Sequence, residues 1–208
     1  MCGRFNIIDD PLTKLTSELL GINFTTSSNS NVCPSELIST ASLVDGQISQ
    51  VNANWGIKPS WSKKLLINAQ SETVATKKTF KSAFASHRCV IPFSGWYEWK
   101  TLESGFKQKY LFSNEENVLY MAAILFEQPI ITESRAKTND LFGELPAEET
   151  LPQLVSLTTE ANQQCAPIHH RMPLILDQSD VLQWIEAKPS EIGPLLFNKP
   201  MELLIQAQ

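Results

Sequence analysis

Apolar and polar positions recur along this chain with two different periods, and each period marks out its own elements. Over 11–22, Leu12, Leu15, Leu19 and Leu20 return at three- and four-residue spacing, which puts them on one helical face, and Gly21 supplies a stop. A second, shorter helix is predicted over 78–88, burying Phe80, Ala83 and Phe84 with lysines on its other side. A third opens at Ser179 and Asp180 and runs to 187. Elsewhere the pattern is that of strands. Cys89-Val90-Ile91 starts one, and Trp96-Tyr97-Glu98-Trp99 resumes one after Ser94-Gly95. Further strands are predicted at 109–113, 118–126, 154–159 and 201–206, and the run at 118–126 is apolar enough for the middle of a sheet. A Ser/Thr/Asn-rich loop is expected at 25–31. The segment 130–150, with five acids against two bases, reads as a polar surface insertion. No linker or repeat divides the 208 residues. The expected fold class is α+β: a single mixed domain over 1–208, built on a largely antiparallel, barrel-like β core with short flanking helices.

Composition narrows the class. An apolar content of 42% with 9% aromatics fits a soluble protein with a substantial core. No apolar run reaches the ~20 residues of a membrane span, and the first residues lack a signal peptide's basic segment and apolar stretch. No membrane partner is expected. The expected location is cytoplasmic, on the nucleoid in a bacterium, or nuclear in a eukaryote. Four cysteines without a C-x-x-C pair, and three histidines of which two are adjacent, offer no metal-ligand spacing. The expectation is reduced thiols, no metal and no cofactor, with Cys33, Cys89 and Cys165 as small buried hydrophobes. The net charge of −5 argues at first against nucleic acid. Its distribution argues the other way. Residues 55–110 hold ten lysines and arginines against three acids, a surplus of +7 that leaves −12 for the remainder. One basic face and an acidic back would produce that asymmetry, and so would two ordinary solvated surfaces.

The residue with the most distinctive chemistry is Cys2, directly after the initiator methionine. Once Met1 is removed, Cys2 carries a free α-amine and a thiol on adjacent carbons. An α-amine titrates near ~7.7–8.0, well below a lysine, so much more of it is nucleophilic at neutral pH. It can condense with an aldehyde to an imine, and the neighbouring thiol closes a five-membered thiazolidine without having to diffuse to its target. Position alone leaves the plain alternative open: a cysteine that merely happens to follow the start codon.

Five segments in order decide between them. They are Met1-Cys2-Gly3-Arg4-Phe5; Trp55-Gly56-Ile57-Lys58-Pro59-Ser60-Trp61; Asn68-Ala69-Gln70-Ser71-Glu72-Thr73; and Arg88-Cys89-Val90-Ile91-Pro92 leading into Gly95-Trp96-Tyr97-Glu98-Trp99. The fifth is Thr158-Thr159-Glu160-Ala161-Asn162 continuing to Ile168-His169-His170-Arg171-Met172-Pro173. Together they resemble the SRAP (SOS-response-associated peptidase) family, whose members bind single-stranded DNA and crosslink to abasic sites.

The resemblance implies that mature Cys2 attacks the ring-opened aldehyde of an abasic site and forms a stable thiazolidine link. It assigns Glu98 an acid–base role, and the aromatic setting of that carboxyl suits a raised pKa. Of the two histidines it points to His169, which would help open the deoxyribose ring. It gives Asn68 the task of positioning the abasic nucleotide. Gln70 stands where the family usually has arginine, so a charged phosphate contact is lost there and Lys77 and Lys78 are candidates to replace it. Arg4 and Thr158 match DNA-contacting positions. Pro34, Trp61 and Trp99 are the apolar residues expected to meet DNA, with Pro34 and Trp99 stacking on exposed bases. The implied partner is single-stranded DNA containing abasic sites, bound by a monomer. Two other classes stay open at this point: a thiol peptidase using Cys2 and His169, and a non-covalent single-strand-binding module.

Overall fold

The computed structural model describes residues 2–126 and 151–208, and 130–150 lies outside them. The fold is α+β, with two sheets and four short helices among the described residues. Strands β1 (Phe5–Ile7), β2 (Asn29–Val32), β7 (Gly95–Thr101), β8 (Lys107–Ser113) and β13 (Leu204–Ala207) form a five-stranded antiparallel sheet. Its order is β13-β8-β7-β1-β2. The larger sheet takes β3 (Leu37–Val44), β4 (Gln47–Trp55), β5 (Asn68–Gln70), β6 (Arg88–Phe93) and β9 (Leu119–Phe126). It is completed by β10 (Gln153–Glu160), β11 (Arg171–Pro173) and β12 (Ile175–Leu176). Because β10 pairs with β4 on one side and with β9 on the other, β10, β4, β3, β6 and β9 close on themselves into a ring. The barrel-like core is that ring. Its β10–β4 and β10–β5 joints are parallel and its other pairings antiparallel.

The apolar run at 118–126 became β9, buried from Leu119 to Leu125 in the ring wall. Helix α1 (Asp9–Leu20) packs Leu12 and Leu20 into the core, with Leu15 and Leu19 at its margin, and Gly21 ends it in a left-handed conformation with φ 66°. Helices α2 (Ser71–Val74), α3 (Lys81–Ser86) and α4 (Gln178–Glu186) are shorter. The 78–88 prediction starts too early, since 75–80 forms turns and only Lys81–Ser86 is helical, yet Phe80, Ala83 and Phe84 are buried as expected.

Two corrections concern strands. The Ser/Thr/Asn-rich segment 25–31 is not all loop, because β2 begins at Asn29. The hairpin of β3 and β4 was not foreseen, although its eight-pair ladder is the longest in the fold. Serine, asparagine and glutamine occupy so many of its positions that the alternation is diluted. The sharper signal was its turn, Asp45-Gly46, where both residues have positive φ (49° and 78°) as a tight hairpin requires.

Ser94 is where the chain leaves the ring and enters the second sheet, as β6 ends at Phe93 and β7 starts at Gly95. Backbones come very close there. A Cβ on Gly95 would lie 2.5 Å from the Phe112 carbonyl oxygen and 3.1 Å from Asn6 Oδ1. Beyond it, β7 alternates strictly, with Trp96 and Glu98 buried on one face and Tyr97 and Trp99 on the other. Gly95→Ala must push β7 off β8 and β1. It should destabilise the protein by about 1–3 kcal/mol, the usual cost of overpacking. Urea unfolding tests this, and an unchanged midpoint would show that the approach can relax freely.

Candidate functional site

The site assembles around the first residues of the chain. β1 lies between β7 and β2, with Phe5 opposite Trp96 on one side and Val32 on the other, and the Tyr97 N–H donates to the Arg4 carbonyl at 2.9 Å. This pairing draws Cys2 into the core, where it is fully buried. Burial pushes its thiol pKa far up, and the negative charge of Glu98 adds to the rise. The thiol is held protonated.

Glu98 reaches the same place from β7 and is 4% exposed. Burial raises its carboxyl to about 7, against the opposing pull of the positive charge at the chain's N-terminus. Such a group sits half-ionised at neutral pH, which is what general acid–base work requires. Cys165 is a neighbour the sequence reading missed. Its thiol is pushed up to about 12, by burial first and then by Glu98. The expectation of a small buried hydrophobe holds for Cys89 and Cys165 and fails for Cys33. Cys33 is half-buried in a polar setting, donating to the Asn31 carbonyl at 3.1 Å and accepting from the Arg4 guanidinium. It follows directly after the edge strand β2.

Asn68 comes from the ring. Its Nδ2 donates to the Cys2 carbonyl at 2.8 Å, and its Oδ1 accepts from the Ser156 hydroxyl at 2.5 Å. Ser156 is directly opposite Asn68 in the parallel β5–β10 pairing and is fully buried. It therefore fixes which way the amide faces. Its only trace in the sequence is a serine inside an apolar run.

His169 follows a turn anchored on Cys165, whose carbonyl accepts the His169 N–H at 3.0 Å. Burial lowers the imidazole pKa, and the N-terminal charge and His170 lower it further against a raising contribution from Arg171. Its Nδ1 lies 3.0 Å from the Arg171 N–H and 3.1 Å from the Arg171 carbonyl. The ring can thus accept there when neutral and donate there when protonated, without moving. His170 is exposed and stacks on it at 4.5 Å between centroids.

Below these groups, Arg171 makes a bidentate pair with Glu72 at 2.8 and 2.9 Å and donates to the Thr158 carbonyl at 2.6 Å. This ties β11 and β10 to the start of α2 and sets where β5 delivers Asn68. Thr158 is 2% exposed, its hydroxyl 3.4 Å from the Ala69 carbonyl. Among the other DNA candidates, Gln70, Lys77 and Lys78 are exposed, Pro34 and Arg4 are half-buried, and Trp61 and Trp99 are 68% and 40% exposed. Among the described residues no group of three or more His, Cys, Asp or Glu is placed to hold a metal ion, and no helix is long and apolar enough to cross a membrane.

Fold and site together define a mixed α+β protein in which Cys2 is buried beside Asn68 and Glu98. The family model described as SOS response associated peptidase (SRAP) matches residues 1–206, and the chain belongs to that family. It is 28% identical over 200 residues to the abasic site processing protein YoqW of Bacillus subtilis, covering 92% of this chain and 83% of that one. It is 26% identical over 199 residues to the abasic site processing protein YedK of Escherichia coli, covering 91% and 82%. A crystal structure of a phage-related protein from Bordetella bronchiseptica has the same fold, with a TM-score of 0.76 at 23% identity, covering 100% of this chain and 94% of that one.

The Glu72–Arg171 pair carries a pH signature. Burial pulls the Glu72 pKa up, but the hydrogen bonds and charge of Arg171 outweigh it, and the net shift is downward. A carboxylate whose pKa falls on folding contributes stability above its unfolded value and loses it as the pH drops through the folded one. Glu72→Gln should therefore unfold at lower urea than the unmodified protein at neutral pH, with the gap closing in acid below the ordinary carboxylate range. A gap that persists in acid would mean that packing, not ionisation, is what Glu72 supplies.

Proposed function

We propose that this protein recognises abasic sites in single-stranded DNA and joins itself to them through Cys2. The observation that carries this reading is the setting of Cys2: its carbonyl is held by Asn68 beside a buried carboxyl raised to about 7. The printed names of YoqW and YedK, both abasic site processing proteins, agree with it.

Removal of Met1 frees the α-amine. That amine adds to the aldehyde carbon of the opened sugar, and the carbinolamine loses water to give an imine. Glu98 takes the proton the ammonium sheds and returns it to the departing hydroxyl. The thiol then adds to the imine carbon. Its sulfur forms the new C–S bond, its proton passes through Glu98 to the nitrogen, and a thiazolidine results with water as the only leaving group. A thiol held protonated by burial suits this order, because it does not compete with the amine for the aldehyde. The same burial counts against a thiol peptidase built on Cys2 and His169, which needs a thiolate. The protonated fraction of His169 donates to the sugar ring oxygen as the C1′–O4′ bond of the hemiacetal breaks, and the anomeric hydroxyl releases its proton to water, which leaves the open aldehyde. Asn68 positions the abasic nucleotide. Arg4, Gln70, Lys77, Lys78 and Thr158 engage the flanking backbone directly or through the strands that bear them, and Pro34, Trp61 and Trp99 meet its bases.

Incubation with an abasic oligonucleotide followed by denaturing electrophoresis tests the scheme. Cys2→Ala should give no denaturation-resistant band while still binding single strands. Cys2→Ser should stop at the imine, and its band should appear only after borohydride. A full yield of adduct from Cys2→Ala would sink the mechanism.

Glu98→Gln should slow adduct formation by roughly 10²–10⁴-fold, the usual contribution of a general acid–base group. The sign of its pH dependence follows from the raised pKa. The carboxylate is the base, so the wild-type rate should climb as the pH rises through about 7. That inflection should be missing in Glu98→Gln, leaving only the one near ~7.7–8.0 from the α-amine. Identical pH–rate curves for the two proteins would remove Glu98 from the proton transfers.

A further inference from the structure

The face of the five-stranded sheet turned away from the reactive cysteine has a composition of its own. β7 and β8 run antiparallel with Tyr97 opposite Leu111, Trp99 opposite Lys109 and Thr101 opposite Lys107. Directly opposed residues in such a ladder share a face. These side chains therefore lie on the side opposite Trp96 and Glu98. Arg4 joins them by alternation, since Phe5 shares the Trp96 side.

Lys109 is held in place on this face. Its Nζ lies 3.8 Å from the centroid of the Tyr97 ring, its diagonal neighbour across the ladder. Tyr97 is fixed in turn, with its hydroxyl donating to the Ser30 carbonyl at 3.0 Å. Beside them Trp99 leaves 40% of its surface in solvent, and Lys107 is exposed. Neither β7 nor β8 places an acid on this side, because their one carboxylate, Glu98, is buried on the other.

We infer that the single strand meeting Trp99 continues across this outer face, where Lys109, propped on Tyr97, contacts a phosphate of a nucleotide outside the abasic one. Alternating aromatic and cationic groups on an open sheet suit a strand whose bases are already unstacked, and stacking of this kind tolerates any sequence. A lysine held over a ring also has less freedom to lose when a phosphate arrives. The inference rests on the proposed function for its choice of ligand. It deepens that reading by extending the footprint to Lys107 and Lys109, with the buried Tyr97 as the support of Lys109, and none of the three takes part in the crosslinking steps.

The test uses undamaged oligothymidine, so that no covalent step enters. Binding of the full chain is followed by fluorescence anisotropy across a salt series. Lys109→Gln should weaken binding several-fold and lower the slope of log K against log salt by ~0.7, one phosphate contact on a single strand. Lys109→Glu should weaken it further. Tyr97→Leu should act in the same direction by releasing the lysine, whereas Tyr97→Phe, which keeps the ring, should retain most of the affinity. Lys14→Gln, on α1, is the charge control and should leave binding unaltered. Wild-type affinity and slope in a folded Lys109→Gln protein would overturn the inference, as would an equal loss in Lys14→Gln, which would reduce the effect to net charge. Failure of the crosslinking reading is seen separately, as an absent adduct from the wild-type protein on an abasic strand.

Discussion

The first residues of a chain are ordinarily solvated and loosely held; in this protein Cys2 is buried just ahead of a core strand, and the proposed chemistry depends on that. Burying Cys2 takes its backbone out of water, where an unpaired carbonyl costs about 1–3 kcal/mol. The Asn68 amide meets that need at 2.8 Å. The ladder of β1 with β7 and β2 meets it for the residues that follow. Without these bonds the first residues would be free to leave, and the Cys2 thiol with them. With them, the same low-dielectric surroundings that hold the strand raise both Cys2 and Glu98. One constraint thus sets the positions of Cys2 and Glu98 and their proton affinities together.

The geometry of Asn68 is itself inherited from deeper layers. Its amide is oriented by Ser156, β5 is aligned by parallel pairing with β10, and the end of that pairing is clamped by Arg171 between Glu72 and Thr158. Buried polar groups of this kind are favourable only when fully engaged, because a lone buried charge is costly. The clamp engages both terminal nitrogens of Arg171 with a bidentate carboxylate and a backbone carbonyl, while its buried Nε has no hydrogen-bond partner among the described residues. A chain of contacts thus runs from Glu72 through Arg171, β10 and β5 to Asn68 and Cys2.

How much of this was legible beforehand depends on whether the signal was local. The leucines of α1 and the unbroken apolar run of β9 gave themselves away by period, because each buries a single face or is buried outright. The β3–β4 hairpin did not, since one side of it is polar enough to blur the alternation, and only Asp45-Gly46 marked it. The resemblance to a family carried the chemical residues, and the structure brings Asn68 and Glu98 to Cys2 and places His169 within electrostatic reach of the same N-terminal charge that acts on Glu98. Ser156 and Cys165 could not be read, as their relevance comes from neighbours 88 residues away in one case and from burial beside Glu98 in the other. Cys33 was misread because Pro34 and Val32 made its setting look apolar, whereas its side chain shares the outer, polar side with Arg4.

β7 links these observations, since it presents chemistry and surface from alternate positions of one strand. Trp96 and Glu98 point to one face and are buried; Tyr97 and Trp99 point to the other, where Tyr97 is covered and Trp99 exposed. The period of a strand is two, so a slip of a single residue would put Glu98 in water and Trp99 in the core. Two features prevent it. The seven-residue ladder with β8 fixes the register along its length. Gly95 fixes its origin, because no residue with a side chain could be drawn into that position against the Phe112 carbonyl. The glycine therefore does more than let the chain pass from ring to sheet: it sets the phase of the strand. That phase decides that the carboxyl titrating near neutrality is the one beside Cys2, and that the exposed indole faces solvent on the other side.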